Sequence, residues 1–75
     1  MASRKWLKSR DRVYQVLELV GTSQTSIEEA IENGISQAEG QHGKLGWFEV
    51  VETRGYIEDG GVKYYQVHLK IGCQS

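Results

Sequence analysis

Cysteine is nearly absent: Cys73 stands alone among 75 residues, so no intrachain disulfide can form. A structural metal is disfavoured for the same reason. His42 and His68 with that single thiol do not supply the four convergent N or S donors of a zinc site. Long apolar runs are missing as well. The best, Val16 to Val20, is interrupted by Glu18 and falls far short of the roughly 20 residues needed to cross a bilayer. Nor is there an excess of one charge, since 9 Lys+Arg against 10 Asp+Glu leave a formal net charge of -1, which argues against a general nucleic-acid binder. A chain this short buries only about 60% of the surface its unfolded form exposes, so a single domain is expected. With disulfide and metal set aside, self-association is the remaining route to useful stability.

The charge that is present is unevenly placed. Residues 1–12 hold Arg4, Lys5, Lys8, Arg10 and Arg12 against Asp11 alone, leaving an acidic body at 13–75. We divide the chain there into a basic flexible arm and a folded domain. The arm is too short and lacks the apolar stretch of a secretory signal, so a reducing cytoplasm is the expected compartment. It reads as a solvated terminus, or as a nucleic-acid or membrane-surface element with Trp6 and Leu7 as its apolar part.

Val13 to Val20 is rich in β-branched and aromatic residues and is followed by Gly21, which predicts a strand. Ser26 stands three residues before Glu29, the spacing of a capping box. From there Ile27, Ala30, Ile31, Gly34, Ile35 and Ala38 form one apolar stripe at helical spacing, with Gly40 as the expected stop. Trp47 to Ile57 and Val62 to Ile71 alternate at period two around Asp59-Gly60, a strong hairpin signal. With Asp59-Gly60 as a two-residue loop, Phe48, Val50 and Glu52 oppose Ile71, Leu69 and Val67 on one face. Glu49, Val51 and Thr53 oppose Lys70, His68 and Gln66 on the other, from which Trp47 also projects. The expectation is an α+β domain of order β-α-β-β, with one helix on a three-stranded antiparallel sheet. The uncovered side of that sheet should meet copies of the chain or a flat ligand.

The segments Val13-Tyr14, Glu18-Leu19-Val20-Gly21-Thr22-Ser23, Glu29-Ala30-Ile31, Trp47-Phe48-Glu49-Val50, Arg54-Gly55, Asp59-Gly60 and Gln66-Val67 stand in the order and spacing of the dodecins. From about Val13 to Gly72 the chain resembles this family of β-α-β-β proteins, which assemble as hollow homododecamers and hold flavins as stacked pairs. The resemblance implies non-enzymatic storage and sequestration of riboflavin or FMN, held non-covalently, with coenzyme A a second candidate ligand of the cage. It implies that Trp47 stacks on the isoalloxazine, that Gln66 bonds its pyrimidine edge, and that Arg54 contacts flavin or its phosphate. Glu52 and Tyr56 then occupy positions near the ribityl chain.

These residue types suit that ligand. An indole supplies a π-face worth on the order of 1 kcal/mol beyond burial, and a carboxamide offers both donor and acceptor to a mixed polar edge. In the expected register Gln66 faces Thr53, which lies about 20 Å along the strand from Trp47. One ring cannot touch both on one chain, so a pocket combining them needs two subunits. Departures from the family pattern are the glycine-rich stretch from Glu39 to Gly46 and Cys73 where an aromatic is usual.

Each signal has a plainer reading. Trp47 could be an interface aromatic, and Arg54 a cross-strand partner of Tyr65 or an ion-pair partner of Glu52. Gly21-Thr22-Ser23 could cradle a phosphate but more commonly such turns cap a helix. No nucleophile, base or metal cluster of a catalytic site is evident. The competing functions are a nucleic-acid module built on the basic arm and a ligand-free assembly protein.

Overall fold

The computed structural model describes residues 13–74, so the expectations placed on the basic arm lie outside it. β1 spans Tyr14–Ser23, and its β-branched and aromatic residues suit a pleated surface. It runs three residues past the expected end at Val20. Gly21 permits this, because a Cβ there would overlap the carbonyl oxygen of Ala30 where the strand passes under the helix.

Helix α1 spans Ile27–His42. The Ser26 hydroxyl accepts from the Glu29 backbone N–H at 3.0 Å, as the capping box requires. The return half of the box is indirect. The Ser23 hydroxyl donates to the Glu29 carboxylate and accepts from the Ser26 backbone N–H, so the segment before the helix acts as a cap. Gly40 does not end the helix. It stops where the chain turns left-handed at Gly43 (φ 81°), whose N–H returns to the Glu39 carbonyl at 2.9 Å.

β2 (Leu45–Glu58) and β3 (Gly61–Gln74) form the expected hairpin around Asp59 and Gly60, both at positive φ. The sheet is antiparallel in the order β1-β3-β2, which makes β3 the central strand. On its covered face Val67, Leu69, Ile71 and Cys73 are buried with Ala30 and Ala38 of the helix, flanked by Leu17, Leu19, Ile31, Ile35 and Leu45. Small residues bring the helix close to the sheet at Ala30, Gly34 and Ala38, all buried.

The helix is too short to cover the hairpin. Sixteen residues of helix reach about 24 Å, whereas fourteen residues of strand reach about 46 Å. The far half of the hairpin therefore has no cover from the helix, and Ile57 and Val62 near its tip are 78% and 54% exposed.

Register follows the two-residue loop toward both ends of the hairpin: Ile57 opposes Val62, Val50 opposes Leu69, and Phe48 opposes Ile71, until a further irregularity beyond Trp47 leaves Gly46 extra and sets Leu45 opposite Cys73. Between these ends it does not. An irregularity between Tyr56 and Ile57 leaves Lys63 as an extra residue on β3, and one between Val50 and Glu52 leaves Val51 extra on β2. In the segment between them Glu52 opposes His68 rather than Val67, Thr53 opposes Val67 rather than Gln66, and Arg54 opposes Gln66 rather than Tyr65. Strict alternation fails because Val50 and Glu52, two positions apart, oppose residues on opposite faces of β3.

Candidate functional site

The displaced register decides what the uncovered face carries. With unbroken alternation Glu52, Arg54 and Tyr56 would share the helix side with Val50, away from Trp47 and Gln66. The extra residue at Val51 turns them over. Trp47, Glu49, Glu52, Arg54 and Tyr56 of β2 thus lie opposite Gly72, Lys70, His68, Gln66 and Tyr64 of β3. On the other flank, Val16, Glu18, Val20 and Thr22 of β1 oppose Gly72, Lys70, His68 and Gln66. All five residues singled out from the sequence, Trp47, Gln66, Arg54, Glu52 and Tyr56, consequently share one face.

Trp47 lies at one end of that face. Its indole occupies the space above Gly72, where any Cβ would overlap the ring atoms Cε2, Cζ2 and Nε1. The Tyr14 ring leans on it with centroids 6.0 Å apart at 58°, a tilted contact within the preferred range for aromatic pairs. Trp47 is nevertheless 40% exposed, so much of the ring has no partner among the described residues.

Gln66 lies toward the other end. Its amide oxygen Oε1 is buried and has no hydrogen-bond partner among the described residues. A buried acceptor left in that state costs about 1–3 kcal/mol, so a group that donates to it would be bound at an advantage. Beside it the Arg54 guanidinium is hydrogen-bonded to the Glu52 carboxylate at 2.5 Å. That bond, and then the charge of Glu52, raise the arginine pKa above its already high ordinary value. The guanidinium side of the pair is accordingly charged throughout the neutral range and is neutralised only in strong alkali. Because both side chains are about half exposed, water screens it, and it serves mainly to hold Arg54 against the sheet.

His68, next to Gln66 on the same face, approaches the Glu18 carboxylate at 3.1 Å. Val20, Glu52, Arg54, Gln66 and His68 line a cavity of about 110 Å³. Small-molecule sites usually enclose about 300–1,000 Å³, so this cavity is too small to enclose such a ligand by itself. Beyond Gln66, Tyr56 and Tyr64 stack at 4.7 Å and 14°, which gives the Tyr56 ring a structural partner.

Trp47 opposes Gly72, six positions from Gln66 along the same strand, so the two are separated by about 20 Å. The protomer places them on one face and keeps them apart. The sequence reading missed the support around them: Gly72 beneath the indole, Tyr14 against it, and His68 with Glu18 beside the carboxamide. The alternation of β3 could have pointed to Gly72 and His68. Glu18 and Tyr14 depend on the pairing of β1 with β3, a contact distant in sequence. Among the described residues no group of three or more His, Cys, Asp or Glu side chains is placed to hold a metal ion.

These features define a class: a small α+β binding protein in which a helix covers one sheet face and the other presents an exposed indole and a carboxamide whose oxygen has no partner among the described residues, about 20 Å apart. Comparison with known proteins names the family. The Dodecin family model matches residues 13–75, and the chain belongs to that family. It is 48% identical over 61 residues to the dodecin of Thermus thermophilus, spanning 81% of this chain and 88% of that one. The structure of a dodecin from Streptomyces davaonensis superposes with a TM-score of 0.83 at 42% identity, covering 87% of this chain and 96% of the other. A calcium dodecin from Mycobacterium tuberculosis, described as a calcium-chelating antigen, superposes with a TM-score of 0.74 at 25% identity, covering 84% and 90%. Membership implies oligomeric assembly, in keeping with the uncovered sheet face. Among the described residues no helix is long and apolar enough to cross a membrane.

Proposed function

We propose that this protein is a non-enzymatic cytoplasmic store for flavin, riboflavin or FMN, held in pockets shared between the subunits of a homododecamer. The observation that carries the reading is the buried, unpartnered Oε1 of Gln66 on the same face as the half-exposed indole of Trp47. The first suits the N–H of a heteroaromatic edge and the second suits its π-face.

The separation of about 20 Å within a protomer makes assembly a condition of binding. Trp47 of one subunit would stack on a ring whose polar edge meets Gln66 of another. Arg54, held in place by Glu52, lies beside Gln66 where it can face a sugar-like chain, and Tyr56 is packed on Tyr64 one step further out. A bound flavin supplies a flat ring whose excited state relaxes by electron exchange with an adjacent indole. Photoprotection is therefore a corollary of storage.

Titrating riboflavin with the wild-type protein is expected to quench its fluorescence, and Trp47→Ala to remove most of the quenching. Undiminished emission at saturating protein would end the proposal. A colourless, ligand-free assembly under those conditions would instead favour a purely structural role.

A further inference from the structure

The hairpin is apolar at both ends, and the two ends have opposite shapes. At the tip, beyond the reach of the helix, Ile57 of β2 opposes Val62 of β3, and Ile57 projects into solvent at 78% exposure. At the other end Ile35, Leu45, Gly46, Trp47, Phe48 and Ile71, none of them charged, line a cavity of about 140 Å³. An apolar cavity of about 150 Å³ holds a benzene-sized group, so this one has room for one branched side chain.

Phe48 and Ile57 are about 30 Å apart along a strand paired with β3 over its length, so the tip of a chain does not reach its own cavity. A projection and a recess at opposite ends of one rigid element meet only between two copies. Family membership, which implies oligomeric assembly, supplies those copies. Charge favours the same orientation. The tip carries Glu58 and Asp59 against Lys63, which pairs with Glu58, whereas Lys44 precedes Leu45 at the cavity. Such a contact joins unlike surfaces, and repeated about a rotation axis it closes into a ring.

We infer that the hairpin tip of one chain docks in the cavity beside Trp47 of a second copy, with Ile57 as the side chain that enters it. Trp47 is one wall of that cavity, and Gln66 opposes Arg54, three positions from Ile57. Docking therefore sets the carboxamide of one chain about 10 Å along the hairpin from the indole of another, half the separation within a protomer. The contact rests on the apolar surfaces. Its consequence for a ligand rests on the flavin-storage reading.

The experiment joins exposed positions beside the tip and the cavity and leaves both intact: Glu58→Cys and Lys44→Cys, treated with a short bismaleimide, which tolerates looser geometry than a disulfide. Exposed charges of this kind contribute little to stability, so both positions accept the change. They lie about 45 Å apart along one hairpin and do not link within a chain. The double variant is expected to give a ladder of linked chains on a denaturing gel. Each single variant, like the wild type with its buried Cys73, is expected to remain at 8.5 kDa. A double variant that assembles without linking overturns the inference and gives the cavity a different occupant, residues 1–12 among the candidates. Ile57→Asp is the independent check. It is expected to raise the chain concentration at half-assembly by about tenfold or more, and riboflavin quenching to fall with it. Assembly unchanged by Ile57→Asp also overturns the inference. Linked chains whose wild-type parent quenches no flavin overturn the storage reading and leave the contact standing.

Discussion

At the scale of the residue, the indole of Trp47 has its position because Gly72 has no side chain. The ring fills space that any Cβ would contest, and Tyr14 props it from the neighbouring strand. Presence of the indole and its placement can therefore be separated. Gly72→Ala keeps Trp47 but forces the ring off the strand. Because glycine is itself unfavourable within a strand, the net effect on stability is expected to stay within about 1 kcal/mol. Riboflavin quenching is expected to fall severalfold even so, with an altered near-ultraviolet circular dichroism signal from the displaced indole. Unchanged quenching with a displaced ring would mean that stacking does not depend on this orientation. Trp47 itself was legible from the sequence as a face residue. The glycine that supports it is the residue that the expected hairpin register sets opposite Trp47, but only the structure shows the ring lying over it.

At the scale of the element, the helix start and the hairpin turn carry local signals. Ser26 caps as its spacing to Glu29 predicts, and Asp59-Gly60 adopts the left-handed turn that this dipeptide favours. The bulges had no such signal. Val51 and Lys63 are ordinary residues for a strand, and the two insertions compensate so that the register from Trp47 to Val50 matches that beside the turn, although a third irregularity between Leu45 and Trp47 shifts the open end again. Period-two reasoning therefore placed Trp47 and Gln66 correctly with respect to each other and put Glu52, Arg54 and Tyr56 on the wrong side. The end of β1 was also hidden, since Gly21 reads as a stop until the helix is known to lie on it. Its close approach to Ala30 can be tested directly. Gly21→Ala sets a methyl group against backbone, which cannot rotate away as a side chain can, and is expected to destabilise by about 1–3 kcal/mol. Thermal unfolding at fixed protein concentration would read this as a lowered midpoint, and an unchanged midpoint would show that helix and strand separate at little cost.

At the scale of the whole molecule, the protomer has too little interior to account for its own stability. Among the described residues the buried apolar ones are Ala30, Ala38, Val67, Leu69, Ile71 and Cys73, and two of these are alanines. Phe48, Val50, Val51, Tyr56 and Ile57 on the edge strand β2 stay at least 40% exposed. An edge strand of that length and apolarity invites pairing or packing with another chain, and family membership implies that assembly supplies it. Folding and association should then form one equilibrium. For such a system the unfolding midpoint depends on protein concentration, because mass action favours the assembled state. Where unfolding is reversible, raising the chain concentration a hundredfold is expected to raise the midpoint by several degrees, with loss of helix and loss of the large species coinciding. In sedimentation that species is expected at about 100 kDa, twelve times the 8.5 kDa chain. A midpoint independent of concentration, with helical signal retained in an 8.5 kDa species, would show that the protomer is stable alone. Trp47 and Gln66 would then remain about 20 Å apart in a folded monomer, and whether that monomer still quenches riboflavin would decide whether the pocket is shared between chains.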